Sequence, residues 1–409
     1  MGPSEIVTAI FVLTYAGIAL GRIPGLALDR TGIALLGAIA MVAAGAFKPD
    51  EAWRQINVPT ILLLYALMVV SAQFKISGFY TRMALGINRF IRSPRAFLGA
   101  LMAVSALLSA LLVNDIVCLA FTPVLCLSLL DAGLDPAPFL LGLACASNIG
   151  SAATIIGNPQ NMLIGQVARL GFAKFLLWCA PPSAVSLLCC YLIILLLYRG
   201  RWRKGKSGRV PRAHEWPEYN RHQTIKGLLI ASAMIVMFFT PVPRELSAAV
   251  AAGVLLASRR ISTRSMLELV DWHLITLFCA LFIVIGALTK YGLPAHAAAW
   301  LEGHGMNMNK PIALSAITLV LSNIVSNVPA VMLILKHMDL GITRNLYVLA
   351  LASTYAGNLT IVGSIANLIT VEQARGYGIE IGFYEHARVG VPVTVLSMLT
   401  VLGWAAIRA

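Results

Sequence analysis

Two short stretches carry groups able to do chemistry inside an oily chain. The first, "SNIGSAATIIGNPQNMLIG" (147–165), brings together Asn148, Thr154, Asn161, Gly150, Gly157 and Pro159. The second, "AGNLTIVGSIANLIT" (356–370), holds Gly357, Asn358, Thr360, Gly363 and Asn367. "TIIGNPQNMLI" and "TIVGSIANLIT" are echoes of one another: Thr154 stands against Thr360, Gly157 against Gly363 and Asn161 against Asn367. Upstream, "ASNIG" (146–150) matches "AGNLT" (356–360), which sets Asn148 against Asn358. Glycine and proline break a helix, and the freed amides and carbonyls need partners that a bound solute and its waters can supply. Uncharged side-chain amides and hydroxyls add hydrogen-bonding groups that do not titrate. Gly150, Gly157, Pro159, Gly357 and Gly363 are read as the helix-breaking positions.

A second pair of polar interruptions precedes each stretch. "LLVNDIV" (111–117) contains Asn114 and Asp115, and "LSNIVSNVPA" (321–330) contains Ser326 and Asn327. Each divides an apolar run too long for one helix, so each run reads as a hairpin with a polar tip. Ser147 and Ser326, with Gly157 and Gly363, would shape the turns. An ionisable group at such depth is functional by default, and Asp115 is the candidate that takes up and releases a coupling proton or cation. A plain helix cap is the alternative role for it. The candidate substrate-binding set is Asn114, Asn148, Thr154, Asn161, Ser326, Asn327, Asn358, Thr360 and Asn367.

The elements that must position these groups follow from composition. The chain has 409 residues, of which 59% are hydrophobic and 12% charged, with a mean hydropathy of +0.82. Soluble domains carry about 25% charged residues, and many apolar runs approach the roughly 20 residues of a spanning helix. The fold class is therefore an all-α polytopic membrane protein, with about ten transmembrane helices, two re-entrant hairpins and two interrupted helices. The first half (1–198) has scaffold helices within 6–95, a hairpin at 97–131, an interrupted helix at 137–168 and a helix at 175–198. A basic linker occupies 199–223. The second half (224–409) has scaffold helices within 224–289, a hairpin at 311–338, an interrupted helix at 345–371 and a helix at 387–407. One hairpin enters from each side, which is an inverted-topology repeat, and paired interrupted helices at matching positions point to a transporter's substrate site. A packing face of small residues is the bland alternative.

The net charge of +14 is concentrated in loops. Arg22 and Arg30, then Lys75 to Arg95, then the cluster Arg199, Arg201, Arg203, Lys204, Lys206, Arg209 and Arg212, then Arg259, Arg260 and Arg264 all fall on one side if the hairpins do not cross. That side is read as the cytoplasm, with both termini outside. Nucleic-acid binding is excluded as the meaning of this charge. The first apolar run lacks a basic leader and continues into Gly21-Arg22-Ile23-Pro24, so it reads as a span of an inner cell membrane rather than a cleaved signal. The seven cysteines show no metal-ligand spacing and read as small hydrophobes. No metal site, cofactor motif or catalytic set such as HExxH or GxSxG is present, so an enzyme is not expected. A channel would favour repeated pore-lining faces over two broken helices. Asp271 and His273 read as the capped start of a span, and Glu385, His386 and Arg388 as interfacial.

The two interrupted motifs, the "VND" tip and the "SNVPA" tip together resemble the ion transporter superfamily, which includes arsenite permeases of the ArsB type, sodium/proton antiporters of the NhaD type and, more distantly, divalent anion/sodium symporters. The resemblance covers nearly the whole chain and is closest to an arsenite/antimonite efflux permease. It implies a scaffold and a mobile transport body holding the hairpins and broken helices, elevator-like movement, a homodimer as one arrangement, and a small solute (arsenite, antimonite or another small oxyanion) exchanged against protons or sodium. Asp115 would be the proton carrier of an arsenite/proton antiporter. A sodium/proton antiporter and an anion or dicarboxylate permease are the alternatives within the superfamily.

Overall fold

The computed structural model describes residues 2–21, 27–203, 218–258, 261–293, 303–304 and 306–408. Arg22, Pro24, Lys204, Lys206, Arg209, Arg212, Arg259 and Arg260 lie outside them, as does most of the basic linker. Among the described residues the chain is helical and contains no strand, only an isolated bridge between Leu134 and Arg203.

Among the described residues ten helices precede the linker: α1 (Pro3–Leu20), α2 (Arg30–Ala43), α3 (Pro49–Arg54), α4 (Val58–Ile76), α5 (Phe79–Ile87), α6 (Pro94–Leu111), α7 (Asn114–Asp131), α8 (Ala137–Ser151), α9 (Pro159–Val167) and α10 (Phe172–Leu197). After it come α11 (Arg221–Met237), α12 (Arg244–Leu256), α13 (Thr263–Leu267), α14 (Trp272–Lys290), α15 (Pro311–Val325), α16 (Asn327–Leu335), α17 (Thr343–Ala356), α18 (Ile365–Arg375) and α19 (Phe383–Ile407). The order of short and long helices, hairpin, broken helix and final long helix occurs twice. Local chemistry marks the same boundaries in both passes: Asn57 caps α4 through the Thr60 amide, and Asp271 caps α14 through the Leu274 amide.

Among the described residues seven helices are long and apolar enough to cross a membrane: α1, α4, α6, α7, α10, α14 and α19. Three shorter apolar ones are α2, α8 and α15. Of the scaffold helices expected within 224–289, α11 and α12 fall in neither group. Both hairpins form. The first turns at Leu112–Val113 between α6 and α7. The second turns at Ser326 between α15 and α16.

Packing interlocks the two passes. α4 lies against α12, α14 against α2, and α10 against α19. Loop contacts define two ends of the bundle. At one end the Asp135 amide donates to the Trp202 carbonyl (3.0 Å), the Asn220 amide to Ser77 (3.0 Å) and the Tyr198 hydroxyl to Glu385 (3.4 Å). Near the other, Gln55, Arg169, Thr240 and Lys336 line a cavity of about 1160 Å³ between the ends of α9, α11 and α16 and the start of α4. The α6–α7 hairpin opens toward the first end, where Asn88 donates to Ser128 (2.8 Å). The α15–α16 hairpin opens toward the cavity end. Large apolar side chains such as Leu13, Leu188, Leu196, Val250 and Leu399 are exposed, as a lipid-facing surface requires. The cysteines are unpaired, and Cys118, Cys126, Cys145, Cys179 and Cys190 are buried.

Candidate functional site

Both broken helices stop and restart in the same way. α8 ends at Ser151, and α9 begins at Pro159 behind Asn158, whose side chain accepts from the Asn161 amide (2.9 Å). α17 ends at Ala356, and α18 begins after Ser364, whose hydroxyl accepts from the Ala366 amide (3.2 Å). Between these points the carbonyls lack helical partners. Asn161 supplies one set: its Nδ2 donates to Thr154 O (2.9 Å) and reaches Ser151 O and Ala152 O at 3.4 Å. Asn367 does the same in the second break, donating to Gly357 O (2.8 Å) and Thr360 O (3.0 Å). Thr154 donates to the Ala110 carbonyl of α6, and Thr360 to the side chain of Asn323 in α15 (3.1 Å). Each break is thereby moored to its own hairpin.

Between the two breaks lies a buried amide cluster. Asn148 Nδ2 donates to Asn358 Oδ1 (2.9 Å) and to Asn367 Oδ1 (3.2 Å). Its Oδ1 accepts from Asn114 Nδ2 (3.3 Å) and from the Ser364 hydroxyl (2.9 Å). Asn114, Asn148, Asn358 and Asn367 thus meet at one point from α7, α8 and the second break, and all four are buried. Asn327 borders it: a Cβ on Gly357 would sit 3.1 Å from Asn327 Nδ2. The cluster is incompletely satisfied. Asn114 Oδ1, Asn327 Oδ1 and Asn358 Nδ2 are buried with no partner, and so is Asn161 Oδ1 in the first break. Unpaired buried amides each cost about 1–3 kcal/mol, so the site presents both acceptors and a donor to anything that enters.

Asp115 is half-buried in the first turn of α7, and no hydrogen bond to it forms among the described residues. Val113, with no side-chain cap, occupies the capping position, so Asp115 is not the helix cap. Ser326 adopts φ 77° and ψ 159°, a conformation nearly confined to glycine, and its backbone, with its carbonyl accepting from the Ala330 amide (3.2 Å), rather than a side-chain cap makes the second tip.

Several sequence expectations shift in detail. Gly150 lies inside α8 rather than in the break; it allows close approach to α6, since a Cβ there would run into the Ala106 backbone. Gly157 does belong to the break, with Ser151 as the neighbour that excludes a Cβ. Pro159 is the first residue of α9, Gly357 caps α17, and Gly363 closes a 3-10 turn (Ile361–Gly363). Asn148 and Asn358 are not positional equivalents. The register that joins Asn161 to Asn367 and Asn158 to Ser364 puts Thr354 opposite Asn148. Asn148 sits within α8, whereas Asn358 lies beyond the end of α17.

Sequence reading missed several participants. Ser364 bonds Asn148, and Asn323 donates to the Ala356 carbonyl (3.0 Å). Thr354 accepts from Asn158 (3.2 Å) and Gln160 (3.3 Å). His386, read as interfacial, is buried, with Nε2 3.1 Å from the Asn358 carbonyl. The repeat register itself flags Ser364 and Thr354, as partners of Asn158 and Asn148. His386 carries no such signal.

Comparison with known proteins bears on the whole chain. The citrate transporter (CitMHS) family model matches residues 11–339. The chain is 28% identical to the silicon efflux transporter LSI3 of Oryza sativa subsp. japonica, over 91% of this chain and 92% of the relative. It is 24% identical to a Dictyostelium discoideum chain carrying the name transporter arsB, over 96% and 90%. The solved structure of Neisseria gonorrhoeae MtrF, described with a class of antimetabolite efflux pumps, shares the fold at a TM-score of 0.58 and 14% identity, covering 100% of this chain and 95% of that one.

Proposed function

The chain belongs to the citrate transporter family of membrane transporters, and from that premise we propose that it exports a small, uncharged, hydroxyl-bearing solute, arsenite or antimonite first among them, in exchange for protons. The observation that carries this reading is the amide cluster at Asn148. Its unpaired Asn114 Oδ1 and Asn358 Nδ2 suit a ligand that both donates and accepts. As(OH)3 is such a molecule near neutral pH, and so is Si(OH)4, the form of dissolved silicon. The name of the rice relative agrees with this class. Citrate, the namesake of the family, carries three carboxylates, and such a ligand calls for cationic forks. Among the described residues no Lys or Arg side chain is hydrogen-bonded to the candidate asparagines and threonines.

Asp115 carries the exchanged proton in this reading. It is half-buried at the tip of a hairpin whose neighbouring residue, Asn114, bonds the cluster. The repeated element order, with hairpins opening toward opposite ends, supports an inverted repeat whose hairpins and broken helices move as one body against the α2, α4, α12 and α14 scaffold. In this reading the Trp202 end faces the cytoplasm, which the clustering of Lys and Arg in the loops supports.

Everted membrane vesicles energised to an acid interior test this. Arsenite uptake should saturate, collapse with a protonophore, compete with silicic acid and not with citrate. Asp115→Asn should cut gradient-driven uptake by about tenfold or more, the scale of a lost proton-transfer group, while equilibrium arsenite exchange persists. Citrate uptake in place of arsenite, or full gradient-driven flux in the Asp115→Asn variant, refutes the assignment.

A further inference from the structure

Arg244, at the start of α12, reaches across to the end of α9. Its Nη1 donates to the Leu170 carbonyl (2.6 Å) and its Nη2 to the Gly165 carbonyl (2.8 Å). Those two carbonyls bracket the turn that terminates α9, where the Leu170 amide donates back to Gly165 O (3.0 Å) and Arg169 takes φ 48°. The next residue, Glu245, accepts from Gln166 Nε2 (3.0 Å). The first turn of a scaffold helix therefore holds the end of a broken helix by three bonds, two of them from a guanidinium.

The same parts exist a second time. From Arg30 to Gly78 and from Arg244 to Gly292 the chain keeps one register without a gap. α2 begins at Arg30 as α12 begins at Arg244; Asn57 and Asp271 cap the helices that follow; Gly78 and Gly292 both take left-handed φ, 70° and 69°. Arg30 is thus the counterpart of Arg244. α18 ends in the same kind of turn as α9: the Ile379 amide donates to Ala374 O (3.1 Å), with Gly378 at φ 75°. Yet Arg30 is half-buried and makes no hydrogen bond or ion pair among the described residues. Thr31, the counterpart of Glu245, reaches only the His273 carbonyl at 3.4 Å. The Arg30 guanidinium is thus not engaged by any of the described residues, and the matching pair of carbonyls lies at the end of the counterpart helix.

We propose that Arg244 and Arg30 are alternating clamps of the transport cycle. The arrangement seen here is the Arg244-held end state. In the other end state Arg244 releases α9, and Arg30 takes the Ala374 and Ile379 carbonyls at the end of α18. This deepens, and rests on, the reading of the chain as an inverted-repeat transporter with a moving body.

Amide hydrogen exchange on the full-length purified protein tests the clamp without any substrate. Arg244→Gln should speed exchange at the Leu170 amide by about tenfold or more, the factor for losing charge-assisted bonds. It should also slow exchange at Ile379, because the freed body settles on Arg30. Adding Arg30→Gln should abolish that gain at Ile379. If Arg244→Gln does not fold, Arg244→Lys, which keeps the charge and loses the two-carbonyl fork, should give the same reciprocal pattern at smaller size. Exchange at Ile379 that is unchanged or faster on loss of Arg244, or a gain that persists without Arg30, overturns the proposal. Reciprocal exchange with no arsenite flux would refute the substrate assignment alone; arsenite flux without reciprocity would refute the clamp alone.

Discussion

Asn161 and Asn358 look alike in the sequence and do opposite work. Asn161 spends its amide on the carbonyls of its own break, so truncation leaves those carbonyls unpaired. Asn161→Ala should cost about 2–3 kcal/mol of stability, read as a lowered melting temperature. Asn358 Nδ2 has no partner to lose, and the one bond its Oδ1 accepts, from Asn148, leaves Asn148 with Asn367 Oδ1 as an acceptor when it is removed. Asn358→Ala should melt closer to wild type yet weaken solute binding by about tenfold, the worth of one buried polar contact. Equal melting temperatures for the two variants would contradict this division. The motif revealed both residues because polar amides in an apolar run are conspicuous. It could not reveal their division of labour, since whether an amide turns to its own backbone or to a cavity depends on where the other break lies. His386 was invisible for the same reason: only the packed α19 brings its ring to the Asn358 carbonyl.

At the scale of elements, glycines that look equivalent by sequence differ in what surrounds them. Gly150 faces the Ala106 backbone across the α6–α8 contact, whereas a Cβ on Gly253, in the middle of α12, meets nothing within 4 Å. Gly253→Ala should therefore stabilise by roughly 0.5–1 kcal/mol, the helix-propensity gain. Gly150→Ala should destabilise by more than that, because backbone must shift to admit the methyl group. Thermal melting of the two variants should move in opposite directions, and a Gly150→Ala variant as stable as wild type would show that α6 and α8 need no such closeness. The hairpins and both breaks were legible in the sequence, because each polar interruption falls at the middle of a run too long for one helix. The role of Gly150 was not, because composition does not distinguish a glycine that breaks a helix from one that lets a neighbour approach. Pairing Asn148 with Asn358 went astray by following residue identity where the structure follows helix ends.

For the whole molecule, neither pass of the fold is self-sufficient. α2 needs α14 and α4 needs α12, so each pass buries its apolar faces on the other. The connection between them is the polar stretch around 199–223. Fragments 1–203 and 218–409 expressed together should assemble and transport, while either alone should fail to accumulate in the membrane. Stable accumulation of a single fragment would show that the interlock is dispensable. The overall class was legible from hydropathy and the position of the basic loops. The solute was not, since one scaffold accompanies names as different as citrate, silicon and arsB among its relatives. The flanking helices add a property of their own. α10 has 26 residues and α19 has 25, about 39 and 38 Å at 1.5 Å per residue. A hydrocarbon core of roughly 30 Å obliges such helices to lean. They pack on each other, carry Pro181, Pro182 and Pro392 as points of bending, and α19 also packs on α17, whose end opens the second break. Lipid chain length therefore sets their tilt, and with it the resting geometry of the site: turnover should track bilayer thickness even though no lipid touches the asparagines.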